Sequence, residues 1–515
     1  MPETGNAALF FVDRHLQEGR GAKTAFREAD GARRSLSYAE LAEATARFGG
    51  ALERAGLRRE ERVAMILRDQ IEFPVVFWGA IKAGAIPVPL NTLLAADIYE
   101  TILQDSRASL LVVSEALWEV VRPAVEGNRY LRQVVVVGAG PAPAGTVSYA
   151  DFIADAAPID TVEAHPDEMA FWLYSSGSTG VPKGVRHVHS SLKATADTFG
   201  AQVLGIRESD VVYSVAKLFF AYGLGNGMSF PMSVGATTVL FSGRPTPEAV
   251  FEIMRRERPT IFCGVPTLFA AVVAAQEARG GKPDHCIRLC TSAGEALPRD
   301  VGERWQALWG AEIVDGVGST EMLHIFLSNR PGDIVYGTSG VPVPGYEVRL
   351  VDEHDEDVAE GEVGELLVRG PSAAEGYWNR REKSQATFAG HWTRTGDKYE
   401  RTPEGRYVYC GRTDDMFKVS GIWVSPFEVE QALVEHPAVL EAAVVARADE
   451  KGLDKPAAYV VLKPGADPAI TADLKDLVKQ KIGMWKYPRW IEVVEELPKT
   501  ATGKIQRFKL REIAQ

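Results

Sequence analysis

The sequence predicts an α/β plus α+β protein in which a large N-terminal domain precedes a small C-terminal one. The first domain is expected to hold two α/β subdomains with parallel-rich sheets and a small β-barrel-like part. Two observations carry this prediction. The chain has 515 residues, too many for a single hydrophobic core. Short apolar runs also alternate with amphipathic helical patterns over long stretches, an order that is typical of βαβ units around a mainly parallel sheet.

The alternation is clearest between residues 165 and 320. Predicted strands lie at 169–174, 211–215, 237–241, 260–265, 287–293 and 311–317. Predicted helices lie between them, at about 190–202, 248–257, 267–278 and 299–309. Because crossovers through such helices are right-handed, the strands that they join are expected to be parallel. Residues 38–137 repeat the pattern, so a second α/β subdomain is expected there.

The pattern changes after residue 335. Short alternating runs at 346–352 and 361–370, between glycines and prolines, predict antiparallel strands. From about residue 413 the pattern is compact α+β, with helices predicted at 426–435 and 470–482 and strands at 440–447, 456–463 and 489–494. These changes predict a domain boundary between residues 412 and 413, which gives domains 1–412 and 413–515.

Composition excludes several classes of function. The net charge of -12 at pH 7 argues against a nucleic-acid partner held by bulk electrostatics. The four cysteines are sparse for this length and fit a reducing compartment. The N-terminus lacks the pattern of a targeting signal, and no apolar run of about 18 residues predicts a membrane span. We therefore expect a cytoplasmic monomer or homodimer with neither nucleic acid nor a membrane as its partner.

The segment YSSGSTGVPKG, residues 174–184, has the composition of a phosphate-binding loop. Its glycines let the backbone approach a ligand closely, while hydroxyl groups and one lysine supply the donors and the cation that a triphosphate requires. The spacing differs from that of the GxxxxGK[ST] P-loop. A flexible surface loop is the alternative, but the position after a buried strand favours phosphate binding. The candidate ligands are Ser175, Ser176, Gly177, Ser178, Thr179, Gly180 and Lys183.

Five further segments follow along the chain, and four of them have an ordinary structural interpretation when they are considered alone. SAGEA can be a helix-entry turn, DGVGSTE can contain a threonine N-cap, TGD can be a β-turn and PKTATGK can belong to a solvated basic tail. The segments are SAGEA at 292–296, DGVGSTE at 315–321, TGD at 395–397, GRTDD at 411–415 and PKTATGK at 498–504.

In this order, and together with residues 174–184, these segments resemble the adenylate-forming superfamily, which includes acyl-CoA synthetases, luciferases and peptide-synthetase adenylation domains. The resemblance covers essentially the whole chain. It implies ATP and Mg²⁺ as cofactors and coenzyme A as a co-substrate. It also implies that the small C-terminal domain is a mobile lid.

Around the nucleotide, the resemblance implies a set of specific contacts. Thr320 would contact phosphate and Glu321 would help to hold Mg²⁺, which prefers a few carboxylate oxygens together with phosphate oxygens and water. Asp397 would accept hydrogen bonds from the ribose hydroxyls, with Arg412 assisting. Many relatives carry an aromatic residue where Val317 stands. The other residues implied to line the nucleotide and acyl groups are Gly294, Glu295, Ala296, Asp315 and Gly316.

Lys504 matches the catalytic lysine of the superfamily, and Thr320 and Glu321 complete the implied catalytic set. Lys504 would meet the carboxylate and the α-phosphate oxygens during adenylation, where a cation in a closing lid stabilises the approach of two anionic groups. Asp414 corresponds to the hinge about which the small domain rotates. Gly421 would then lie along a tunnel for the pantetheine arm of coenzyme A.

Two stretches resemble the benzoate–CoA ligase branch in particular, KLFFAYGLGN at 217–226 and GSTEMLHIFLSN at 318–329. An aromatic acid requires a flat apolar slot. The candidate lining residues are Ala221, Tyr222, Gly223, His324 and Ile325. Phe219 and Phe220 are interpreted as core residues, since aromatic side chains near a strand end more often pack than face a ligand. Tyr222 and His324 have two possible partners, a ring hydroxyl of the acid or each other.

The resemblance therefore implies an AMP-forming ligase that joins an aromatic carboxylate to coenzyme A. Other acids remain alternatives, among them hydroxybenzoate, aminobenzoate, arylalkyl and fatty acids. An enzyme that loads a carrier protein, a luciferase-like oxidase and a non-catalytic adenylate-binding regulator are the alternatives from other classes. The presence of both Glu321 and Lys504 argues against the regulator.

Overall fold

The computed structural model describes residues 5–176, 182–419, 422–450, 452–499 and 505–514. The chain divides into two compact units. The first comprises residues up to 348 together with 368–393, and the second comprises 349–367 together with 394–515. The predicted boundary between 412 and 413 falls inside the second unit, and as a boundary between a nucleotide-binding domain and a lid it stays a prediction.

A nine-stranded sheet is the largest element of the first unit. Its strands, from one edge to the other, are Val341–Pro342, Ile325–Ser328, Ile313–Gly318, Leu289–Ser292, Ile261–Gly264, Val211–Ser214, Thr237–Leu240, Thr24–Glu28 and Ser35–Ser37. The central pairings are parallel, and the pairings at the two edges are antiparallel. The parallel-rich sheet predicted from the alternating pattern is therefore confirmed.

The second α/β subdomain is also confirmed. Its five-stranded sheet is parallel throughout, in the order Ile86–Pro89, Arg62–Ile66, Leu110–Ser114, Gln133–Val137 and Val147–Ser148. A separate antiparallel sheet joins Gly376–Tyr377, Pro182–Val188 and Met169–Ser176. This small sheet holds the strands on both sides of the predicted phosphate-binding loop.

The helices of the first unit connect these strands. The α-helices are Arg14–Gln17, Tyr38–Arg54, Glu72–Lys82, Ala96–Ser106, Trp118–Val125, Tyr149–Ala154, His189–Thr195, Ala221–Leu224, Phe230–Val234, Pro247–Glu257, Pro266–Arg279, Arg299–Trp309 and Arg381–Thr387. The π-helices are Leu9–Asp13, Ala196–Val203 and Gly225–Ser229, and a 3-10 helix covers Glu115–Leu117. The helix predicted at about 190–202 is therefore a short α-helix that continues as a π-helix.

Local sequence explains where several helices begin. Ser37 and Glu40 form a reciprocal capping box at the start of Tyr38–Arg54. Thr246 accepts a hydrogen bond from the backbone of Ala249, and a proline occupies the first position of the helix that follows. Aromatic packing also joins helix Pro266–Arg279 to helix Arg299–Trp309. Trp305, which is fully buried, lies with its ring centroid 4.7 Å from that of Phe269.

The second unit has its own α+β elements. Strands Val439–Ala448, Asp454–Leu462 and Trp490–Val493 form a sheet, and helices Pro426–Val434, Thr471–Ile482 and Arg507–Ala514 accompany it. The unit also holds a 3-10 helix, Pro468–Ile470, a hairpin of Phe417–Val419 and Ile422–Val424, and strand Tyr407–Arg412. Part of each of three further strands belongs to the second unit; these strands are Glu347–Val351, Val363–Arg369 and Trp392–Arg401. Strand Phe388–Ala389, in the first unit, completes the elements.

The α+β pattern predicted after residue 413 agrees with these elements to within a few residues. The hairpin at 417–424 and the helix at 507–514 have no counterpart in the predicted elements. Within the described ranges, no helix is both long enough and apolar enough to cross a membrane.

Candidate active site

The phosphate-binding segment begins and ends in a β-hairpin. Strands Met169–Ser176 and Pro182–Val188 pair antiparallel, with Ser175 opposite Lys183 and Ser176 opposite Pro182. The first strand is apolar and buried through Leu173, whereas Ser175 and Lys183 are half-buried. The predicted ligands Gly177, Ser178, Thr179 and Gly180 lie outside the described residues. The described part of the hairpin thus anchors both ends of the segment on one rigid sheet.

The Thr320–Glu321 pair lies in a tight turn between two strands of the large sheet, Ile313–Gly318 and Ile325–Ser328. Ser319 Oγ accepts a hydrogen bond from the backbone N–H of Met322 at 3.2 Å. Leu323 adopts the left-handed conformation, with φ of 64°, which is uncommon for a residue with a branched side chain. The turn is therefore a strained connection, of the kind that surrounding contacts must hold in place.

Three donors from other segments bind the backbone of this turn. The ring Nε2 of His187 lies 2.8 Å from the carbonyl oxygen of Thr320, so that nitrogen must carry the proton. The backbone N–H of Ala374 donates to the carbonyl of Glu321 at 2.8 Å. The hydroxyl of Ser372 donates to the carbonyl of Met322 at 2.7 Å. Sequence analysis missed all three donors, because none of them belongs to a recognisable motif.

The carboxylate of Glu321 is half-buried and has a phenol as its neighbour. The hydroxyl of Tyr377 donates to Glu321 Oε1 at 2.8 Å. The ammonium nitrogen of Lys183 lies 4.6 Å from the centroid of the same phenol ring. Lys183 and Glu321, which are predicted to bind the triphosphate and its metal, are thus both in contact with Tyr377. Sequence analysis did not identify Tyr377.

Glu321 fits the chemistry of a Mg²⁺ ligand, because Mg²⁺ is usually bound by one or two carboxylates together with substrate phosphates and water. Among the residues that the structure describes, no group of three or more His, Cys, Asp or Glu side chains is arranged to hold a metal. A protein cage for the ion is therefore absent from the described part of the chain, and a single carboxylate beside the predicted phosphate-binding segment fits the donor set that MgATP requires.

Asp315 lies in the buried part of the strand that precedes the Thr320–Glu321 turn. Its Oδ1 atom is buried and makes no hydrogen bond with any described residue. Burial raises the pKa of Asp315 to about 8. The next residue, Gly316, has no room for a side chain, since a Cβ there would lie 2.7 Å from the carbonyl oxygen of Leu327. Val317 is half-buried.

The SAGEA turn follows strand Leu289–Ser292, which lies beside the strand that contains Asp315. Gly294 has a φ of 98° and a Cβ there would meet nothing within 4 Å. Glu295 is exposed and Ala296 is half-buried. The turn therefore lies at the carboxyl edge of the parallel sheet, where ligands of such sheets bind.

Tyr222 and His324 lie together in an aromatic cluster. Their rings are stacked, with centroids 5.6 Å apart, and Phe230 and Phe199 contact the imidazole with centroid distances of 4.5 and 5.1 Å. The backbone comes equally close, because a Cβ on Gly225 would lie 2.4 Å from His324 Cδ2. The structure thus brings together two of the predicted lining residues and adds the two phenylalanines.

Tyr222 and His324 both lie within hydrogen-bond distance of backbone carbonyls. The hydroxyl of Tyr222 donates toward the carbonyls of Thr291, at 2.9 Å, and Gly264, at 3.2 Å. His324 Nε2 lies 3.3 Å from the backbone carbonyl of Tyr222. The two side chains therefore do not hydrogen-bond each other, which was one of the two possibilities for this pair. His324 Nδ1 is buried without a hydrogen-bond partner in the described ranges.

The other predicted lining residues surround this cluster at different depths. Ala221 is half-buried at the start of helix Ala221–Leu224. Gly223 is buried, and a Cβ there would lie 2.1 Å from the carbonyl oxygen of Lys217. Ile325 is buried with 1% exposure. Phe219 is a core residue as predicted, whereas Phe220 is 36% exposed, so its interpretation as a core residue is wrong.

Burial keeps the site histidines neutral and thereby predicts a pH dependence. Desolvation lowers the pKa of His324 to about 3 and that of His187 to about 4. Below the ordinary value of 6.5 the unfolded chain binds a proton at each ring and the folded chain does not, so stability is lost as the pH falls. Between about pH 7 and about pH 5.5, one such ring should cost about 1.2 kcal/mol of unfolding free energy.

Urea unfolding of the wild type and of His324→Phe at these two pH values measures the effect. The wild type should lose more stability on acidification than the variant, by about 1.2 kcal/mol. Equal losses in the two proteins would contradict a neutral buried His324.

In the second unit, Asp397 and Arg412 face each other on paired strands. Arg412 Nη1 donates to Asp397 Oδ1 at 2.9 Å and to the carbonyl of Thr395 at 3.2 Å. Gly396 has a φ of 71°, and a Cβ there would lie 2.8 Å from Arg412 Nη2. The TGD turn and the arginine therefore form one assembly, as the predicted ribose clamp requires.

Asp414 is exposed in the turn that follows strand Tyr407–Arg412. Its predicted role as a hinge is not tested by its position. Gly421 and Lys504 lie outside the described residues, so their predicted roles stay predictions.

The fold and the site define an AMP-binding enzyme. The family profile described as AMP-binding enzyme matches residues 13–378, and the profile of the AMP-binding enzyme C-terminal domain matches residues 428–504. The chain belongs to this family and, within it, to the benzoate–CoA ligase branch.

The relatives that support this placement span the full chain. A benzoate–CoA ligase of Thauera aromatica is 54% identical, over 99% of this chain and 96% of that protein. A 4-hydroxybenzoate–CoA/benzoate–CoA ligase of Rhodopseudomonas palustris is 52% identical, over 99% of this chain and 94% of that protein. Crystal structures of a benzoate CoA ligase from Burkholderia xenovorans LB400 include a chain that matches with a TM-score of 0.89 and 50% identity, over 99% of each chain.

Proposed function

We propose that this protein is an ATP-dependent ligase that converts benzoate or a substituted benzoate to its CoA thioester through an acyl-adenylate, with release of AMP and pyrophosphate. The observation that carries the proposal is the single turn that contains both Glu321 and His324. The two residues are three positions apart. Glu321 would face the metal ion and the phosphates, and His324 lies in an aromatic cluster. A short connection of this kind suits a substrate whose carboxylate and ring are directly joined.

The aromatic cluster supplies the slot for the ring. Tyr222 and His324 present stacked π-faces, and stacked or edge-on contacts with an aryl group add to the free energy of burial. His324 is neutral at physiological pH, because burial holds its pKa at about 3. A neutral imidazole does not offer the carboxylate a competing cation inside the slot, so the acid is expected to bind with its ring inward.

The polar end of the site serves ATP. The segment from Ser175 to Lys183 would bind the phosphates through backbone N–H groups, hydroxyls and one ammonium group. Thr320 would contact phosphate, and Asp397 with Arg412 would bind the ribose. Glu321 would hold Mg²⁺, which neutralises phosphate charge when it is bound. Gly294–Ala296 and Asp315–Val317 would line the adenine and the acyl group.

The chain's own residues then act in two half-reactions. The carboxylate of the acid attacks the α-phosphorus, the bond from that phosphorus to the oxygen of the β-phosphate breaks, and pyrophosphate leaves. Lys504 stabilises the negative charge that the two anions bring together. The thiol of coenzyme A afterwards attacks the acyl carbon and AMP leaves. For this second step, rotation about Asp414 would remove Lys504 and place Gly421 along the pantetheine path. Two conformations are favoured because the adenylate must first be kept from water and then reached by a long thiol.

A substrate panel tests the proposed specificity. ATP-dependent CoA-thioester formation should be measured for benzoate, hydroxybenzoates, aminobenzoates, fluorobenzoates, phenylacetate, cinnamate and hexanoate. Benzoates should lead in kcat/KM by tenfold or more, which corresponds to about 1.4 kcal/mol of discrimination. The hydroxybenzoates are informative, because the Nδ1 atom of His324 is buried without a hydrogen-bond partner among the described residues.

Two outcomes would change the proposal. A lead of hexanoate or phenylacetate would contradict the roles of Tyr222 and His324 while leaving a CoA ligase. Formation of acyl-adenylate without thioester, together with transfer to a carrier protein, would identify the carrier-loading alternative.

A further inference from the structure

We propose that Tyr377 is a positioning residue that fixes the Glu321 carboxylate and the Lys183 ammonium group relative to each other, so that MgATP meets a preassembled pair of opposite charges. The inference rests on the proposed function, in which Glu321 faces the metal and Lys183 faces the phosphates. It adds a residue that none of the nucleotide-binding segments contains.

One side chain contacts both charged groups through different parts of its phenol. The hydroxyl donates to Glu321 Oε1 at 2.8 Å, and a hydrogen bond to a charged acceptor is among the stronger ones. The ring lies beneath the ammonium group of Lys183, 4.6 Å from nitrogen to centroid, a distance at which a cation is attracted to an aromatic face. Tyr377 is 5% exposed, whereas the two charged side chains that it contacts are half-buried.

The backbone around Tyr377 is held equally firmly on both sides. Tyr377 pairs with Val185 in the strand that begins just before Lys183. The N–H of Trp378 donates to the carbonyl of Gly184 at 2.8 Å. On the other side, the N–H of Ala374 donates to the carbonyl of Glu321 at 2.8 Å. A short segment, residues 374–378, therefore links the strand of one charged residue to the turn of the other.

This linkage has an energetic consequence for binding. Glu and Lys side chains each lose a large part of their rotamer freedom when they are ordered. If Tyr377 restricts both side chains in the folded protein, less of that cost falls on the binding of nucleotide. The backbone of the turn is restricted as well, since the φ of 64° at Leu323 requires surrounding contacts that stabilise it.

Binding measurements separate the two contacts of Tyr377. Titration calorimetry without any acid substrate should compare ATP with Mg²⁺ and ATP with EDTA. Tyr377→Phe, which keeps the ring and loses the hydroxyl, should weaken MgATP binding roughly 10- to 100-fold, in line with the loss of a hydrogen bond to a charged group. It should leave metal-free ATP binding within about twofold. Tyr377→Leu, which also loses the ring beneath Lys183, should weaken metal-free ATP binding as well.

Two controls make the result specific. Tyr99→Phe removes a hydroxyl that is just as buried and donates to the carbonyl of Asn91 at 2.7 Å, and it should change neither affinity. Thioester formation from supplied benzoyl-adenylate should stay within about twofold of wild type in Tyr377→Phe, because neither Mg²⁺ nor triphosphate takes part in that step. Urea midpoints show that each variant is folded.

Several results would overturn the inference. Unchanged MgATP binding in Tyr377→Phe, with strongly weakened binding in Glu321→Gln, would reject the positioning role alone. Unchanged binding in Glu321→Gln would reject the proposed role of that carboxylate. Equal weakening of MgATP and metal-free ATP by Tyr377→Phe would indicate a merely structural hydroxyl.

Discussion

Replacing Lys504 with alanine is expected to abolish adenylation while largely sparing the second half-reaction. The ammonium group is proposed to stabilise charge only while the carboxylate attacks the α-phosphorus. Loss of such an electrostatic contact typically costs on the order of 100- to 1000-fold in rate. Benzoate-dependent pyrophosphate release should fall by this factor, whereas thioester formation from supplied benzoyl-adenylate and coenzyme A should change less than about threefold.

Lys499→Ala is the matched control for this experiment. Lys499 lies five positions earlier in the same C-terminal segment and forms an ion pair with Glu441, with distances of 2.6 and 2.7 Å to the two carboxylate oxygens. It is proposed to touch neither substrate, so both half-reactions should survive its removal. Equal loss of the two half-reactions in Lys504→Ala would contradict the scheme of two conformations.

Removing the Asp397 carboxylate should erase the preference for ribonucleotides. If Asp397 accepts hydrogen bonds from the ribose hydroxyls, each bond to the charged acceptor contributes on the order of 1.5–3 kcal/mol. The wild type should therefore prefer ATP over 2′-deoxy-ATP or 3′-deoxy-ATP by roughly 10- to 100-fold in kcat/KM of adenylation. In Asp397→Ala both hydrogen bonds are lost, so activity with ATP should fall at least to the level of the poorer deoxynucleotide, and the preference should disappear.

An ion pair of the same unit provides the comparison. Glu365 accepts a hydrogen bond from Arg394 at 3.0 Å, as Asp397 does from Arg412 at 2.9 Å. Glu365→Ala should weaken local stability without changing the ratio of ATP to deoxy-ATP. A ratio that persists in Asp397→Ala would reject the ribose clamp, even if total activity falls.

The sheets of the first unit were predictable because their strands are buried on both faces. Runs such as LLVVS and QVVVV have no polar alternation, and glycine, proline or charged residues bound them. Their short length and these boundaries indicate strands and not helices. Strand Thr24–Glu28 and its neighbour at the sheet edge, Ser35–Ser37, were not predicted. They are short and half polar, and their place in the sheet depends on pairing with a distant strand.

Within the candidate site, the sequence supplied the motif residues but not the residues that hold them. Tyr377 is 56 positions from Glu321, and His187 is 133 positions from Thr320. No local pattern marks such partners, since their role depends only on the three-dimensional fold. The partners of Tyr222 were equally beyond prediction, because its hydroxyl is taken by backbone carbonyls of two other strands. The π-helix Gly225–Ser229 likewise follows from packing of glycines against His324 and Leu218.

The contact between His187 and the Thr320 carbonyl also bears on how the protein acquires activity as it folds. The loop that this contact closes spans 133 residues, and the conformational entropy of so long a loop must be overcome before the hydrogen bond contributes anything. Helices and adjacent strand pairs form earlier, because their contacts are local. A refolding or newly synthesised chain therefore gains most of its regular structure while the turn of Glu321 is still without its supports. We therefore expect catalytic activity to return later than helix content when the unfolded protein is refolded.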